Sequence, residues 1–591
     1  MNTGTRASTL NQSVGSGRVS STAISSRTGW RMEFLEVAVL GLLAIAAAQT
    51  IGGRLRLAAP LLLVLLGIGV SLLPFIPPVV IEPEWILAGV LPPLLYSASA
   101  AMPAMDFRRD FTAISGLSVV LVVVSSVVLG LFFSWVIPDL SLAWGIALGA
   151  IVSPTDAVAT TIVKGLGVSP RAVAILQGES LLNDGTALVI LRAGIAGAAA
   201  AVSLWAVFGQ FVYAVVVAVV IGLVVGRLNL RVRARIRDPA VNTVVSFTVP
   251  FLASIPAELL GASGLVAAVV AGLVTGRGAA RLLSPQHRLS DTQNWRAIEV
   301  VLEGGVFLVM GLELSTIVQE VRDEHQGFGL PNVVAAGALL LTVLIRTGYV
   351  ALLLWGTRKR TVRGAEAKPR ITDLQTRLDA DEPFSFTSAE VVSSPRARDA
   401  KGRRRELTPA RLERLSTRLR RGAADIDYFL ARPLGWREGV IVVWAGMRGA
   451  VTLAAAQTLP ADTPNRSLLI LVAFLVAAGS LLLQGGTISA VVGWVKPAGR
   501  NMAVEQDEHF QVMQLLEATA AGLTGQSPDS PTEALDDESK RLGLAVINAQ
   551  RESLLDARDD GIFSSATLTA ALEVLDADQI SLELRGGPPE D

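Results

Sequence analysis

The sequence predicts an all-α polytopic membrane protein with about thirteen transmembrane helices, followed by a small helical cytoplasmic region at the C-terminus. Three observations carry that prediction. The 591 residues are 51% hydrophobic and only 17% charged, with a mean hydropathy of +0.51, whereas soluble domains carry about 25% charge. Apolar runs of about the 20 residues a helix needs to span a bilayer recur along the chain. Basic residues fall in every second connection between those runs, as the positive-inside rule expects.

The elements follow in order. Residues 1–32 are rich in Ser, Thr, Gly and Arg, lack the apolar core of a signal peptide and read as a disordered tail. The transmembrane part then fills 33–357 and 436–495. Its apolar segments are 34–51, 57–73, 84–102, 111–137, 141–163, 171–198, 202–226, 239–257, 261–276, 296–318, 332–356, 437–459 and 466–493. The eighth and ninth are short enough to be merged or re-entrant. Connections after odd-numbered segments hold Arg54 and Arg56, Arg108 and Arg109, Lys164 and Arg171, and Arg227 to Arg237. This pattern puts the N-terminus outside and the C-terminus in the cytoplasm. Arg6, Arg18, Arg27 and Arg31 break it, and the discord vanishes if translation starts at Met32. Residues 358–435 read as a flexible basic cytoplasmic loop with one amphipathic helix near Pro409–Arg421. In the tail, 496–591, helical spacing of apolar positions recurs over Val504–Leu523 and Glu533–Arg558, with a third helix near Ala566–Leu575.

Composition also excludes. Acids and bases balance at 51 each, which argues against a nucleic-acid partner. Without cysteine there is no disulfide or thiolate metal site, and no cofactor is expected. His287, His325 and His509 all lie outside the apolar runs, so a proton crossing the membrane must ride a carboxylate.

The chemistry concentrates in three places. Pro154, in Ser153-Pro154-Thr155-Asp156, must break or kink its helix. Irregular backbone at membrane depth is tolerated only where it lines a buried or watery cavity, and transporters use it to bind ions. The plainer alternative is a proline kink beside a satisfied Asp. The second place is Gln177–Thr186, inside the apolar stretch 171–200. There Ser180 and Asp184 share one helix face and Glu179 and Asn183 the next; a short polar loop is the alternative. A carboxylate at mid-bilayer costs about 2.5–3.5 kcal/mol on insertion scales, so it reads as an ion or proton site by default. The third is Trp444–Thr452, where Arg448 sits between glycines at the centre of an apolar segment. An acidic partner is expected for it, with Glu179 the candidate. Arg346, also central in its segment, serves either a structural ion pair or an electrostatic role. Glu303 is either an acid supporting the site or a pore-facing residue.

In this order, Ser-Pro-Thr-Asp, Gly-Glu-Ser-Leu-Leu-Asn-Asp, Gly-Leu-Glu and Gly-Met-Arg-Gly-Ala-Val resemble the sodium/proton exchangers of the cation/proton antiporter superfamily, over about residues 33–495. The resemblance implies an inverted repeat of broken, crossing helices, with one bundle moving against a dimerising domain. It implies Asp184 as the shared cation and proton carboxylate, with Asp156, Ser180 and the Thr155 carbonyl lining the Na⁺ site. Asn183 before Asp184 marks the electroneutral branch, and Glu179 with Arg448 corresponds to an internal ion pair. The sequence departs once: Ser97 stands where members often carry an acid after the Leu-Pro-Pro-Leu-Leu-aromatic run.

The expected function is therefore Na⁺/H⁺ antiport, with Li⁺ also accepted, across the cell membrane by a homodimer, serving pH homeostasis and involving no enzymatic chemistry. Potassium/proton exchange is the neighbouring alternative, since oxygen ligands suit either ion. A gated cation channel or ion sensor is the alternative from another class. A free aspartic acid loses its proton near pH 3.9. Burial strengthens a carboxylate's hold on protons, which lets such a site hold either a proton or a cation.

Overall fold

The computed structural model describes residues 22–55, 57–74, 81–199, 204–323, 327–379, 409–497, 502–524 and 535–584. Within them the chain is helical throughout, and nine helices are long and apolar enough to cross a membrane. The other expected segments are present as shorter or interrupted helices.

Local chemistry sets many of the boundaries. Helix α1 is Thr22–Leu55 and α2 is Ala59–Ser71, with proline in its first turn. A π-helical turn, Trp85–Val90, leads into α3, Leu91–Ala101. Short helices α4 (Ala104–Arg109) and α5 (Phe111–Ser115) precede α6 (Val122–Val136). Then come α7 (Leu142–Val152), α8 (Val158–Gly165), α9 (Pro170–Ala199) and α10 (Leu204–Arg233). Helix α11 (Pro239–Leu259) is capped by Asp238, which accepts from the Ala240 and Val241 N–H groups. Ser263 caps α12 (Gly264–Leu282) and Ser284 caps α13 (Pro285–Leu312). The eighth and ninth segments are thus two separate, individually capped helices. Next are α14 (Leu314–Asp323), α15 (Gly329–Asp379), α16 (Pro409–Ala431), α17 (Trp436–Trp444), α18 (Ala450–Gln457), α19 (Arg466–Ser480) and α20 (Gly486–Val495).

Two helix groups emerge from the packing. In the first, α2 packs along α13, and α12 packs against α3, α10 and α11. Small residues allow that closeness: a side chain at Gly272 or Gly276 would strike the Tyr96 or Ala100 carbonyl of α3. In the second group α6, α7 and α9 pack together, as do α15, α17, α18 and α19, and α18 and α19 both meet α7. The buried apolar core runs through this second group, where Leu148, Val152, Ala454 and Val472 are all but inaccessible.

Two expectations need correction. The tail expected to be disordered overlaps α1, which already starts at Thr22; residues 1–21 lie outside the described residues. The flexible loop expected from 358 begins instead as a continuation of α15 to Asp379, and the amphipathic helix extends through Ala431 and packs on α15. Residues 380–408 lie outside the described residues. The polar stretch 177–186 lies on a helix as expected, in the uninterrupted middle of α9.

The C-terminal region forms α21 (Met502–Thr524), α22 (Leu535–Asp560) and α23 (Ser565–Leu584), with its own core of Val512, Leu554, Leu568 and Leu575. It docks on both helix groups. Arg288 pairs with Asp576, and Arg281 with Asp556 and Asp559, on the α12–α13 side. On the other side, Arg109 donates to the Gly561 carbonyl at 2.6 Å.

Candidate functional site

Pro154 has no N–H to continue the ladder. Helix α7 therefore stops at Val152 and the chain resumes as α8 only at Val158. A second break, at 445–449, separates α17 from α18. The two breaks lie against each other: the Asp156 N–H donates to the Met447 carbonyl at 2.8 Å. Gly449 makes the approach possible, because a Cβ there would run into the Asp156 carboxylate.

A break leaves carbonyls bare at one helix end and N–H groups at the next. Charged side chains answer both. Arg448, 3% exposed, donates from Nε to the Val152 carbonyl at 2.9 Å, from Nη2 to Ser153 at 3.4 Å and from Nη1 to Gly446. Its cation sits where the helix dipoles end negative. Asp156 accepts from the Val158 N–H at 2.9 Å, at the positive start of α8. Ser480 holds the Arg448 backbone N–H at 2.8 Å.

The expected pairing of Glu179 with Arg448 is absent, and the partner of Glu179 is Arg346. Arg346 reaches both carboxylate oxygens, Nη1 to Oε1 at 2.5 Å and Nη2 to Oε2 at 2.8 Å, while its Nε holds the Val442 carbonyl at 2.9 Å. Both side chains of this pair are 3% exposed or less. Arg448 has no need of the acid, since bare carbonyls already receive its donors.

From Glu179 a hydrogen-bond chain leads to the first break. The Thr155 hydroxyl donates to Glu179 Oε1 at 3.0 Å and accepts from Asn183 Nδ2 at 2.8 Å; the same amide reaches the Thr155 carbonyl at 3.0 Å. Arg346, Glu179, Thr155 and Asn183 thus fasten α15, α9 and the unwound segment together.

Asp184 stands on the neighbouring face of α9, 7% exposed. Among the described residues no donor meets its carboxylate. It borders a small cavity with Ala150, Pro154, Leu188 and Val451, and lies within electrostatic reach of Asp156. Ser180 is 5% exposed and donates only within its own helix, to the Gln177 carbonyl at 3.0 Å, which leaves its oxygen free to accept a cation. Glu303, partly buried on α13, lies within electrostatic reach of Asp156 and of Glu299.

One residue, Glu299, and one pairing escaped the sequence reading. Ser97, found where an acid is usual, donates to the Glu299 carboxylate of α13, so an acid reaches that place from another helix. The one sequence signal was the spacing of Glu299 and Glu303, four apart on one helix face. Arg346 could have been paired with Glu179 only by knowing that Arg448 was already engaged.

A family model described as sodium/hydrogen exchanger, transmembrane, matches residues 40–372 and 422–494. An uncharacterised Na⁺/H⁺ exchanger of Mycobacterium tuberculosis is 26% identical, over 93% of this chain and 96% of its own. A sodium, potassium, lithium and rubidium/H⁺ antiporter of Bacillus pumilus is 24% identical over 88% of this chain and 69% of its own. The solved structure of a sodium/proton antiporter from Methanocaldococcus jannaschii shares the fold at a TM-score of 0.53 and 15% identity, covering 78% of this chain and 98% of that one.

Proposed function

Because the chain belongs to the sodium/hydrogen exchanger family, and so to the transporters that exchange cations for protons across membranes, we propose that Asp184 binds the proton and the cation in turn. The observation that carries this is the setting of Asp184: a buried carboxylate on a cavity, beside Asp156 and the unwound backbone, with no donor of its own among the described residues. Its neighbours Glu179 and Asn183, by contrast, are held by other side chains.

A monovalent cation wants several oxygen ligands. Asp184, Asp156, the Ser180 hydroxyl and the Thr155 carbonyl supply them, and none of these groups is a fixed cation. Either occupant neutralises a charge that would otherwise be costly in a water-poor site. Switching between the two sides with a proton or a cation bound, but not with the bare charge, gives one-for-one exchange. Arg346, Glu179, Thr155 and Asn183 position the site without binding the ion, and Glu303 lies within electrostatic reach of Asp156 from the neighbouring group. Na⁺ is the proposed cation, with Li⁺ accepted.

The protein would work in the cell membrane as a homodimer, with the C-terminal helices in the cytoplasm. Potassium/proton exchange stays as a second reading, supported by the B. pumilus relative, whose name includes K⁺. In proteoliposomes holding a pH-sensitive dye, Na⁺ should dequench the dye, and Asp184→Asn should abolish the response in a protein that still folds. Full exchange by Asp184→Asn would overturn the assignment. A response to K⁺ but not to Na⁺ would decide for the second reading.

A further inference from the structure

A second buried acid lies at the opposite end of α13. That helix starts at Pro285 beside the C-terminal domain and runs 28 residues, about 42 Å at 1.5 Å per residue, before reaching Glu313. Glu313 is 2% exposed, and its Oε2 accepts from Gln457 Nε2 at 2.9 Å. Gln457 is the last residue of α18, the second half of a broken helix. The pair therefore joins the two helix groups on the face away from the C-terminal domain.

Two oxygens of this pair are left over. Glu313 Oε1 and Gln457 Oε1 are both buried, and neither meets a donor among the described residues. A buried acceptor left unpaired is destabilising. Turning the Gln457 amide over does not help, because it sets oxygen against oxygen and forfeits the existing bond. One hydrogen on Glu313 Oε1, shared with Gln457 Oε1, would cure both deficits. A carboxylic acid and a carboxamide pair cyclically, with O–H donating to the amide oxygen beside N–H donating to the acid's carbonyl.

The charged neighbours of the pair are mostly acidic. Helix α2, packed along α13, carries no titratable group. Helix α14 adds Glu320, a like charge felt by Glu313, with Arg322 and Asp323 further along. The Ile81 N–H lies against the carboxylate, in a stretch that also holds Glu82 and Glu84. Arg466, at the start of α19, points its guanidinium at the Gln457 and Leu459 carbonyls. Helices α1 and α11 also pack on α13 and carry Glu36, Arg54 and Glu258. Helix α3 brings only Tyr96, and α23 meets α13 through the Arg288–Asp576 pair at its far end.

We propose that Glu313 is a second proton-binding residue, whose acid form pairs with Gln457 and latches α13 to α18 on the face opposite the C-terminal domain. Its proton is held, not exchanged. Losing it sets the carboxylate against the bare Gln457 Oε1 and loosens the latch, so acid on that face slows the relative movement of the two groups. This consequence rests on the exchanger reading above; the protonation itself does not.

The test is infrared difference spectroscopy of the full-length protein in lipid as pH is raised. A carboxylic-acid C=O band should disappear in the wild type, be missing from Glu313→Gln and shift in Gln457→Leu, where the acid remains but its partner is gone. In proteoliposomes the exchange rate should fall as the medium on that face is acidified, and Glu313→Gln should flatten the dependence, since an amide pair keeps its bonds at every pH. A band unchanged in Glu313→Gln overturns the proposal. So does a band removed by Na⁺ or K⁺ at constant pH, which would mark a cation site. If Asp184→Asn still exchanges while the Glu313 band behaves as described, the exchange mechanism is wrong and the latch stands.

Discussion

Glu179 should be energetically coupled more strongly to Arg346 than to Arg448. The pair is bidentate and almost fully buried, with bonds of 2.5 and 2.8 Å. Removing one member leaves the other charge buried without its counter-ion, at about 3–5 kcal/mol. Glu179→Gln and Arg346→Gln should therefore each destabilise the protein by about that much. In the double variant no lone charge remains, so its loss should fall short of the sum by about 2–3 kcal/mol, or roughly 30- to 150-fold in the unfolding equilibrium. Arg448 bonds to the Val152, Ser153 and Gly446 carbonyls. Arg448→Gln with Glu179→Gln should then show a smaller coupling, since Glu179 acts on Arg448 through space without a hydrogen bond. Denaturant titration of purified protein in mixed micelles, followed by tryptophan fluorescence, measures all the terms. Coupling to Arg448 equal to or above that to Arg346 would refute the assignment.

Two further outcomes are expected. Gly449→Ala should abolish exchange and destabilise by about 1–3 kcal/mol, because its methyl group needs the space of the Asp156 carboxylate; unchanged transport in the dye assay would contradict the crossing geometry. Docking of the C-terminal helices should weaken as pH rises. Burial pushes the Asp106 carboxyl, which accepts from the Ser565 hydroxyl, above the ordinary carboxylate range. A raised value means the docked state holds the proton better. Its contribution is complete below about pH 3.9, the ordinary value, and is lost as pH climbs through the raised one. Hydrogen exchange across Gly561–Leu568 should quicken over that interval, and Asp106→Asn should flatten the response.

Much of this was legible because the bilayer restricts what a chain can do. Lipid leaves few homes for an apolar run other than a helix, so the segments could be bounded from composition, and Pro154 located one break outright. Asp184 and Asp156 stood out because acids in apolar runs are costly. Partner choice was not legible. Two arginines, Arg346 and Arg448, were each central in an apolar segment, and burial cost demands compensation without saying from where. The acceptors used by Arg448 are backbone carbonyls, which carry no sequence signal and become available only where a helix breaks. Glu299 was missed for a related reason: its contact with Ser97 joins residues about two hundred apart. The extension of α15 past 357 was hidden by its polar composition, since helix propensity in arginine-rich sequence does not depend on lipid.

Proton release on cation binding tests the exchange site at its root. Purified wild-type protein in weakly buffered detergent, set near neutral pH, should acidify the medium when Na⁺ is added, by up to one proton per chain, while Asp184→Asn should release none. Release that persists in folded Asp184→Asn, or saturable Na⁺ binding by the wild type with no release at any pH where it exchanges, would mean that proton and cation do not share Asp184.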